Sequence, residues 1–309
     1  MPAWAGRILS VFSTKWLSRP EEKDMNIDGH TRLFCLLGHP ARHSISPIMH
    51  TTAAELLGIN MVYLAFDIEP DKIEEAVASL RLMNAGGFNL TMPFKRSVIP
   101  FLDRITEASR LSGSVNTVVN NDGELIGDTT DGTGYLDSLS DAGFDYHGKK
   151  MTLLGAGGAA TSIAVSAALS GLREIDILKR RNKTYGSVQD FVDRLSAETD
   201  CNVRLFPMED MDAMRASIAS SDILTNATNV GMEDDKNSLV PKELLRPSLF
   251  VSDIIYHPSE TTLLSYAREM GCRYANGRYM LLFQGASSFY EWTGQRMPVS
   301  DIKRLVFDK

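Results

Sequence analysis

Cysteine is scarce in this sequence. Its 309 residues contain three, Cys35, Cys201 and Cys272. The number is odd and none belongs to a CxxC pair, so we do not expect a disulfide framework, and the reducing cytoplasm is the predicted compartment. The cysteines and histidines also lack the spacing of zinc ligands, and we predict no metal site.

Long hydrophobic runs and an excess of positive charge are also missing. No stretch of 18 apolar residues occurs, so no membrane-spanning helix is expected. The net charge is -7 at pH 7, which argues against a nucleic-acid partner, because such proteins need a basic face. Residues 1–24 show no long apolar segment followed by a cleavage site, so we predict an extension outside the fold rather than a secretory signal.

The sequence does contain enough apolar residues for two ordinary domains. Hydrophobic residues make up 43% of the chain and charged residues 23%, which is typical of a globular protein. In the first half, Ser46 and Pro47 are predicted to begin a helix that ends at Gly58, since these residue types suit helix starts and ends. The predicted strands of this half are 33–37, 61–68, 87–91, 115–119 and 125–126.

The second half alternates strands and helices more regularly. Six predicted strands with helices between them are typical of a doubly wound, Rossmann-type sheet. These strands are 151–154, 174–178, 203–206, 223–226, 249–255 and 273–275. We therefore predict an α/β fold with an N-terminal α/β substrate domain, 25–132, and a dinucleotide-binding domain, 133–277. Residues 278–309 are expected to cross back and complete the first domain, which leaves a cleft between the two.

A glycine-rich loop directly follows the first strand of the second half and directly precedes a helix. Gly155 permits a tight turn, and Gly157 lets the backbone approach a pyrophosphate at the N-terminus of the helix. The third glycine of the usual pattern is replaced by Ala160, which is a tolerated variant. The predicted phosphate-binding residues of this loop are Gly155, Ala156, Gly157, Gly158 and Ala159.

A basic segment at the end of the next strand indicates which dinucleotide is bound. NAD-specific chains usually carry an acid at this point, to bond the ribose 2′-hydroxyl. Here the chain has Lys179, Arg180 and Arg181, which suit a 2′-phosphate. NADP is therefore the preferred cofactor and NAD the second choice, while a solvated basic turn is the alternative interpretation. Asp176 lies inside the strand and is not expected to bind ribose.

Four separated segments carry further chemistry. They are 43–47 (HSISP), 89–95 (NLTMPFK), 116–117 (NT) with 127–132 (GDTTDG), and 280–286 (MLLFQGA). In this order and spacing they resemble the signature segments of the shikimate dehydrogenase family, and the resemblance covers about residues 33–300. The paired arginines after the glycine loop look closest to the quinate/shikimate dehydrogenase branch.

The resemblance implies a role for each of these residues. Lys95 would be the general acid/base for the substrate hydroxyl, with Asp131 as its partner. Ser44 and Ser46 would bind the substrate carboxylate, and Tyr256 would lie near it. The ring hydroxyls would be bound by Thr91, Asn116 and Gln284. Cofactor contacts would also come from Thr228 and Gly277.

Several of these residues also have purely structural interpretations. Lys95 could be a surface lysine after a strand, and Tyr256 an aromatic residue at a strand end. Asp131 and Ser46 could each be a helix N-cap, because both residue types suit that position.

Departures from the family pattern leave the substrate open. Thr129 stands where the family usually has Asn. Arg278 and Tyr279 change the segment before the last helix, where Tyr279 is expected to add bulk near the nicotinamide.

The predicted reaction is oxidation of a ring hydroxyl of shikimate, to 3-dehydroshikimate, or of quinate. The alternatives are a paralogue that acts on another cyclic hydroxy acid, such as aminoshikimate, and a non-catalytic nucleotide-binding protein. Both a monomer and a homodimer fit the sequence.

Overall fold

The computed structural model describes residues 27–308. The predicted extension, 1–24, lies outside the described residues. Within 27–308, no helix combines the length and the apolar character needed to cross a membrane. The described chain forms two six-stranded sheets with helices packed against them, which confirms the predicted α/β class.

The first sheet is mixed. Its strand order is β2-β1-β3-β5-β6-β4, with β1, β2 and β3 parallel and β5 antiparallel to both β3 and β6. The strands are β1 (Arg32–Gly38), β2 (Met61–Asp67), β3 (Gly87–Leu90), β4 (Arg104–Ile105), β5 (Thr117–Asn121) and β6 (Glu124–Asp128). The helices of this half are α1 (Ser46–Leu57), α2 (Ile73–Leu82), α3 (Phe94–Ser97) and α4 (Glu107–Ser112).

Helix α1 begins one residue earlier than its sequence suggested. Its N-cap is Ile45 and Ser46 is already helical, so the interpretation of Ser46 as the N-cap is wrong. The Ser44 hydroxyl oxygen instead accepts a hydrogen bond from the Ser46 backbone N–H at 3.1 Å. At the other end, Gly58 adopts φ 65°, as the predicted helix stop requires.

The predicted hairpin is present, but its first strand is displaced. Asp122 and Gly123 have φ values of 50° and 98°, which suit a tight two-residue turn between antiparallel strands. Strand β5 starts at Thr117 instead of residue 115. The Val115 N–H donates to the Lys95 carbonyl at 2.8 Å, which ties the segment before β5 to α3.

The second sheet is entirely parallel. Its strand order is β12-β11-β10-β7-β8-β9, the arrangement expected of a doubly wound sheet. The strands are β7 (Lys150–Leu154), β8 (Glu174–Lys179), β9 (Asn202–Pro207), β10 (Ile223–Asn226), β11 (Phe250–Asp253) and β12 (Arg273–Ala275). The helices are α5 (Asp131–Asp141), α6 (Gly158–Leu169), α7 (Tyr185–Glu198), α8 (Met211–Ser220) and α9 (Thr262–Glu269).

The chain returns to the first sheet through α10 (Arg278–Thr293), followed by the short α11 (Val299–Ile302). Leu282, Phe289 and Trp292 of α10 are buried in one hydrophobic cluster with residues of β1 and α1. The Trp292 indole N–H donates to the Val118 carbonyl of β5 at 3.0 Å. Helix α10 also packs closely along α5, so it lies where residues of both halves can meet.

Candidate active site

A cavity of about 480 Å³ lies between the two sheets. It brings together segments that are far apart in the sequence, at the point where β3, β5 and α10 approach the glycine-rich loop. All eight residues predicted to act on the substrate line it: Ser44, Ser46, Thr91, Lys95, Asn116, Asp131, Tyr256 and Gln284. Ala159 and Gly277, two of the predicted cofactor residues, line it as well.

A lysine–aspartate pair lies in this cavity. The Lys95 ammonium is 2.5 Å from the Asp131 Oδ2, and the two side chains are 20% and 6% exposed. Asp131 is the first residue of α5 and its N-cap is Thr130, so the interpretation of Asp131 as the N-cap is wrong. A carboxylate in the first turn is stabilised by the helix dipole, and this one is held against an amine, which donates hydrogen bonds when protonated and can accept a proton when neutral.

Asn116 holds the other oxygen of Asp131. Its Nδ2 donates to Asp131 Oδ1 at 3.0 Å and to Gln284 Oε1 at 3.1 Å. Its Oδ1 accepts from the Thr130 backbone N–H at 2.7 Å. Because the amide oxygen is bound on that side, the nitrogen must face the carboxylate, and both Asp131 oxygens are therefore occupied.

The two serines lie at the N-terminal end of α1. Ser46 is 5% exposed, and Ser44 is fixed by the bond from the Ser46 N–H described above. Hydroxyls at a helix N-terminus are suited to an anionic group. Thr91 directly follows β3, and its N–H donates to the Leu37 carbonyl at 3.0 Å.

Tyr256 follows β11, with half of its surface exposed (51%). The turn that carries it is held by Asp253, which accepts from Asn226 Nδ2 at 3.0 Å, Thr261 Oγ1 at 2.8 Å and the Ile255 N–H at 3.1 Å. Burial raises the pKa of Asp253 to about 6, although these three donors oppose the shift. The sequence analysis did not identify this carboxylate as a support of the site.

The glycine loop turns tightly and leaves open space at the start of α6. Gly155 has φ 102°, and a side-chain carbon there would lie 2.9 Å from both the Ala227 carbonyl oxygen and Thr228 Cγ2. Gly157 is the N-cap of α6, and nothing lies within 4 Å of a Cβ placed on it. The loop therefore leaves open space at the N-terminus of α6, where free N–H groups attract phosphate.

Two other predicted cofactor positions, Gly277 and Thr228, are held tightly by their surroundings. A Cβ on Gly277 would lie 1.8 Å from the Ile254 carbonyl oxygen, so no other residue fits there without moving the chain. Thr228 is fixed after β10, because its N–H and hydroxyl both donate to Asn226 Oδ1, at 3.1 and 2.7 Å.

The basic segment lies at the carboxyl end of β8. Lys179 is buried and its ammonium donates to Asn182 Oδ1 at 3.0 Å, while Arg180 and Arg181 are exposed. The pKa of Lys179 is lowered, by burial first and then by the positive charges of Arg180 and Arg96. Arg96 of α3 is a cation that sequence reasoning missed, because it comes from the other half of the chain.

Asp176 has a structural role. It is 1% exposed, and its carboxylate lies 2.8 Å from both the Lys150 ammonium and the Arg204 guanidinium. Its side chain is therefore fully engaged inside the sheet, which agrees with setting it aside as a ribose ligand.

The side chains of Thr129 and Tyr279 and the backbone N–H of Arg278, three departures from the family pattern, have partners other than Lys95 and Asp131. The Tyr279 hydroxyl donates to Asp308 at 2.8 Å and its ring packs near Phe307, so its side chain is directed to the C-terminal segment rather than into the cavity. The buried Thr129 hydroxyl lies 2.7 Å from the Ser162 hydroxyl. The Arg278 N–H donates to Asn276 Oδ1 at 3.1 Å.

A second cavity, of about 580 Å³, lies on the other side of the segment that precedes α5. It is lined by Asp128, Asp137 and Glu291 among others. Burial, with the charge of Asp128, raises the pKa of Glu291 to about 8. Across residues 27–308 no group of three His, Cys, Asp or Glu side chains could hold a metal ion.

Two family descriptions match the chain. The shikimate dehydrogenase substrate binding domain matches residues 36–118, and the shikimate 5′-dehydrogenase C-terminal domain matches residues 277–307. The first of these covers Ser44, Thr91, Lys95 and Asn116, and the second covers Gly277 and Gln284.

Whole-length relatives agree with these matches. The chain is 47% identical to the shikimate dehydrogenase (NADP(+)) of Listeria monocytogenes over 283 residues, which cover 91% of this chain and 97% of the relative. A crystal structure of shikimate 5-dehydrogenase from Listeria monocytogenes, in complex with shikimate and NAD, is 46% identical, with a TM-score of 0.87 over 91% of this chain and 98% of that chain. A quinate dehydrogenase from Corynebacterium glutamicum, in complex with NAD, is 25% identical, with a TM-score of 0.79 over 89% and 98% of the two chains.

Proposed function

The chain belongs to the shikimate dehydrogenase family, and on this premise we propose that it catalyses the reversible, NADP-dependent oxidation of shikimate to 3-dehydroshikimate. The observation that carries the proposal is the lysine–aspartate pair in a cavity that also contains two serines at a helix N-terminus and neutral amides. An alcohol oxidation needs a base for the hydroxyl proton, and a carboxylated polyol needs these binding groups.

The proposed mechanism assigns the proton to Lys95. When Lys95 is neutral, its Nζ accepts the proton of the ring hydroxyl while the ring carbon loses hydride. In the reverse reaction Lys95 returns this proton. Asp131 orients Lys95 through their 2.5 Å contact. A bound nicotinamide dinucleotide supplies the hydride acceptor. The glycine loop, Lys179, Arg180 and Arg181 are proposed to hold its phosphates, and Thr228 and Gly277 its nicotinamide end.

The substrate is proposed to bind with its carboxylate at the N-terminus of α1. Ser44 and Ser46 provide the hydroxyls there, and Tyr256 lines the same cavity. Thr91, Asn116 and Gln284 are proposed to bond the ring hydroxyls, because hydroxyl and amide groups can both donate and accept.

The direct test measures nicotinamide reduction by absorbance with four pairs: shikimate or quinate, each with NADP or NAD. Turnover that is fastest with shikimate and NADP is the expected result. Quinate is the second candidate substrate, proposed from the sequence resemblance to the quinate branch, and a higher kcat/KM for quinate would favour it. Absence of turnover with all four pairs would contradict the proposal and favour another cyclic hydroxy acid, such as aminoshikimate, or a non-catalytic nucleotide-binding role.

The Ser44→Ala variant is expected to raise the KM for shikimate about 10-fold, because a charge-assisted hydrogen bond contributes about 1.5–3 kcal/mol. The change in kcat is expected to be smaller. The measurement is initial-rate kinetics at saturating NADP. The control is Ser79→Ala, at an exposed serine of α2 outside the cavity. An unchanged KM in Ser44→Ala would reject the carboxylate role.

The Arg180→Ala variant is expected to weaken NADP more than NAD. Loss of one cation at a 2′-phosphate should raise the KM for NADP about 10-fold, whereas NAD has no phosphate there. The measurement is kcat/KM for both cofactors, with Arg215→Ala of α8 as the control, because that residue pairs with Asp212. Equal losses for the two cofactors would show that Arg180 does not contact the phosphate.

The proposal includes a division of the chain. Residues 25–132 with 278–309 form the substrate domain, and 133–277 form the dinucleotide-binding domain. The packing of α10 against β1 and α1 supports this division. A cytoplasmic location and a monomeric or homodimeric state complete the proposal, and light scattering on the purified protein decides between the two states.

A further inference from the structure

We propose that Ser288, a buried serine of α10, is a positioning residue that orients Asn116 toward Asp131 through the hydroxyl of Thr117. The inference rests on the proposed function, since it concerns the same lysine–aspartate pair. Ser288 is 0% exposed and is four residues after Gln284, so it lies one helical turn further along the same face of α10.

Ser288 belongs to a cluster of three hydroxyls. Its Oγ lies 2.7 Å from the Thr117 Oγ1 and 3.2 Å from the Thr130 Oγ1. It also accepts from Asn89 Nδ2 at 3.0 Å and can donate to the Gln284 carbonyl at 3.0 Å. The cluster thus joins β3, β5, the segment before α5, and α10.

The cluster controls which way the Asn116 amide points. Asn116 Oδ1 accepts from the Thr117 hydroxyl at 3.1 Å, in addition to the bond from the Thr130 N–H. Two donors on the oxygen side leave the nitrogen facing Asp131 and Gln284. An amide flip would place an Nδ2 proton against the Thr130 N–H. While Ser288 holds the Thr117 proton toward Asn116, the flip would meet that proton as well, so the hydroxyl cluster adds to the cost of the flipped state.

The number of protons on Asn116 Nδ2 explains how Ser288 affects the lysine–aspartate pair. Asn116 Nδ2 has two protons but three acceptors within hydrogen-bond distance: Thr130 Oγ1 at 3.0 Å, Asp131 Oδ1 at 3.0 Å and Gln284 Oε1 at 3.1 Å. With one proton each, the hydroxyls can form a chain in which Ser288 donates to Thr117 and Thr117 donates to Asn116 Oδ1. The Thr130 hydroxyl can donate to Ser288, so it makes a hydrogen bond without an Asn116 proton. The Asn116 protons then remain available for Asp131 and for the cavity side, where the substrate binds.

The test is a double-mutant cycle in kcat. Ser288→Ala and Thr117→Val each remove one hydroxyl and are expected to lower kcat about 10-fold, since a small misplacement of catalytic groups is costly. If the two residues act through one path, the double variant should be no slower than the slower single variant by more than about 2-fold. The KM for NADP should stay within about 2-fold of the wild type, because the hydrogen bonds of Ser288, Thr117 and Thr130 do not include the glycine loop.

Ser287→Ala is the matched control, since this neighbour on α10 lines the second cavity and is expected to keep the wild-type kcat. Ser288→Thr is the rescue variant, because it retains a hydroxyl. All variants are compared below their melting temperatures, and if Ser288→Ala does not fold, Thr117→Val decides alone.

The outcomes separate the inference from the proposed function. An unchanged kcat in Ser288→Ala or in Thr117→Val, losses that multiply in the double variant, or an equal loss in Ser287→Ala would overturn the positioning role while the proposed function stands. A wild type without turnover on any of the four substrate and cofactor pairs would instead overturn the proposed function and, with it, this inference.

Discussion

The Lys95→Ala variant is expected to lose about 10³-fold in kcat, within the range of about 10²–10⁴ that general acid–base catalysis supplies. Lys95 is the cavity amine in contact with Asp131, and no alanine can replace its proton transfer. The dissociation constant for NADPH, measured by fluorescence titration, is expected to change little, because the proposed phosphate-binding groups lie in the glycine loop and at the end of β8.

Two companion variants separate proton transfer from positive charge. Lys95→Arg retains the charge, but a guanidinium does not release its proton at working pH, so this variant should be nearly as slow as Lys95→Ala. Lys72→Ala, at an exposed lysine paired with Glu75 in α2, should behave as the wild type. Turnover of Lys95→Arg near the wild-type rate would mean that Lys95 contributes only electrostatically, and turnover of Lys95→Ala near that rate would refute the assignment.

The Gly134→Ala variant is expected to destabilise the protein by about 2–3 kcal/mol, as overpacking of a tight helix contact does. Gly134 lies in α5 where α10 crosses it, and an added Cβ would be 2.3 Å from the Gln284 backbone nitrogen and 2.6 Å from its Cα. These atoms are backbone, so neither helix can relieve the contact by a side-chain rotation. In an unobstructed helix the same change stabilises by up to about 1 kcal/mol.

The control for Gly134 is Gly186 of α7. Nothing lies within 4 Å of a Cβ placed on it, so Gly186→Ala should leave the free energy of unfolding unchanged or raise it by a few tenths of a kcal/mol. Both variants are measured by urea denaturation. Because displacement of α10 moves Gln284, Gly134→Ala should also raise the KM for shikimate about 10-fold. A Gly134→Ala protein as stable as the wild type would contradict the close crossing of the two helices.

Local sequence was sufficient for the features that depend on neighbours in the chain. The glycine loop between β7 and α6 was predicted at its observed position, because a strand, a positive-φ glycine and a helix start occur within a few residues. Strand β12 was predicted with its observed bounds, and the hairpin turn at Asp122 and Gly123 was predicted from turn chemistry. The signature segments also identified the family, which whole-length identity confirms.

Errors arose where two local interpretations compete. Ser46 and Asp131 both have the residue type of an N-cap, yet each is the first helical residue, with Ile45 and Thr130 at the caps. Short elements such as β4 and α3 have too few residues to show a hydrophobic periodicity. Tyr279 follows Gly277 in the chain but is directed to the C-terminal segment, which no local pattern indicates.

The sequence by itself determined the α/β alternation, the glycine loop between a strand and a helix, and the lysine and acid of the family's segments, since each depends on short-range spacing. Only the tertiary structure decided how these parts meet. Asn116 and Gln284 are 168 residues apart in the chain and hydrogen-bonded in the fold, and Ser288 reaches Thr117 across a separation of 171. Side-chain contacts at such separations depend on the packing of α10 against α5 and β5, and that packing is set by the whole chain rather than by any segment.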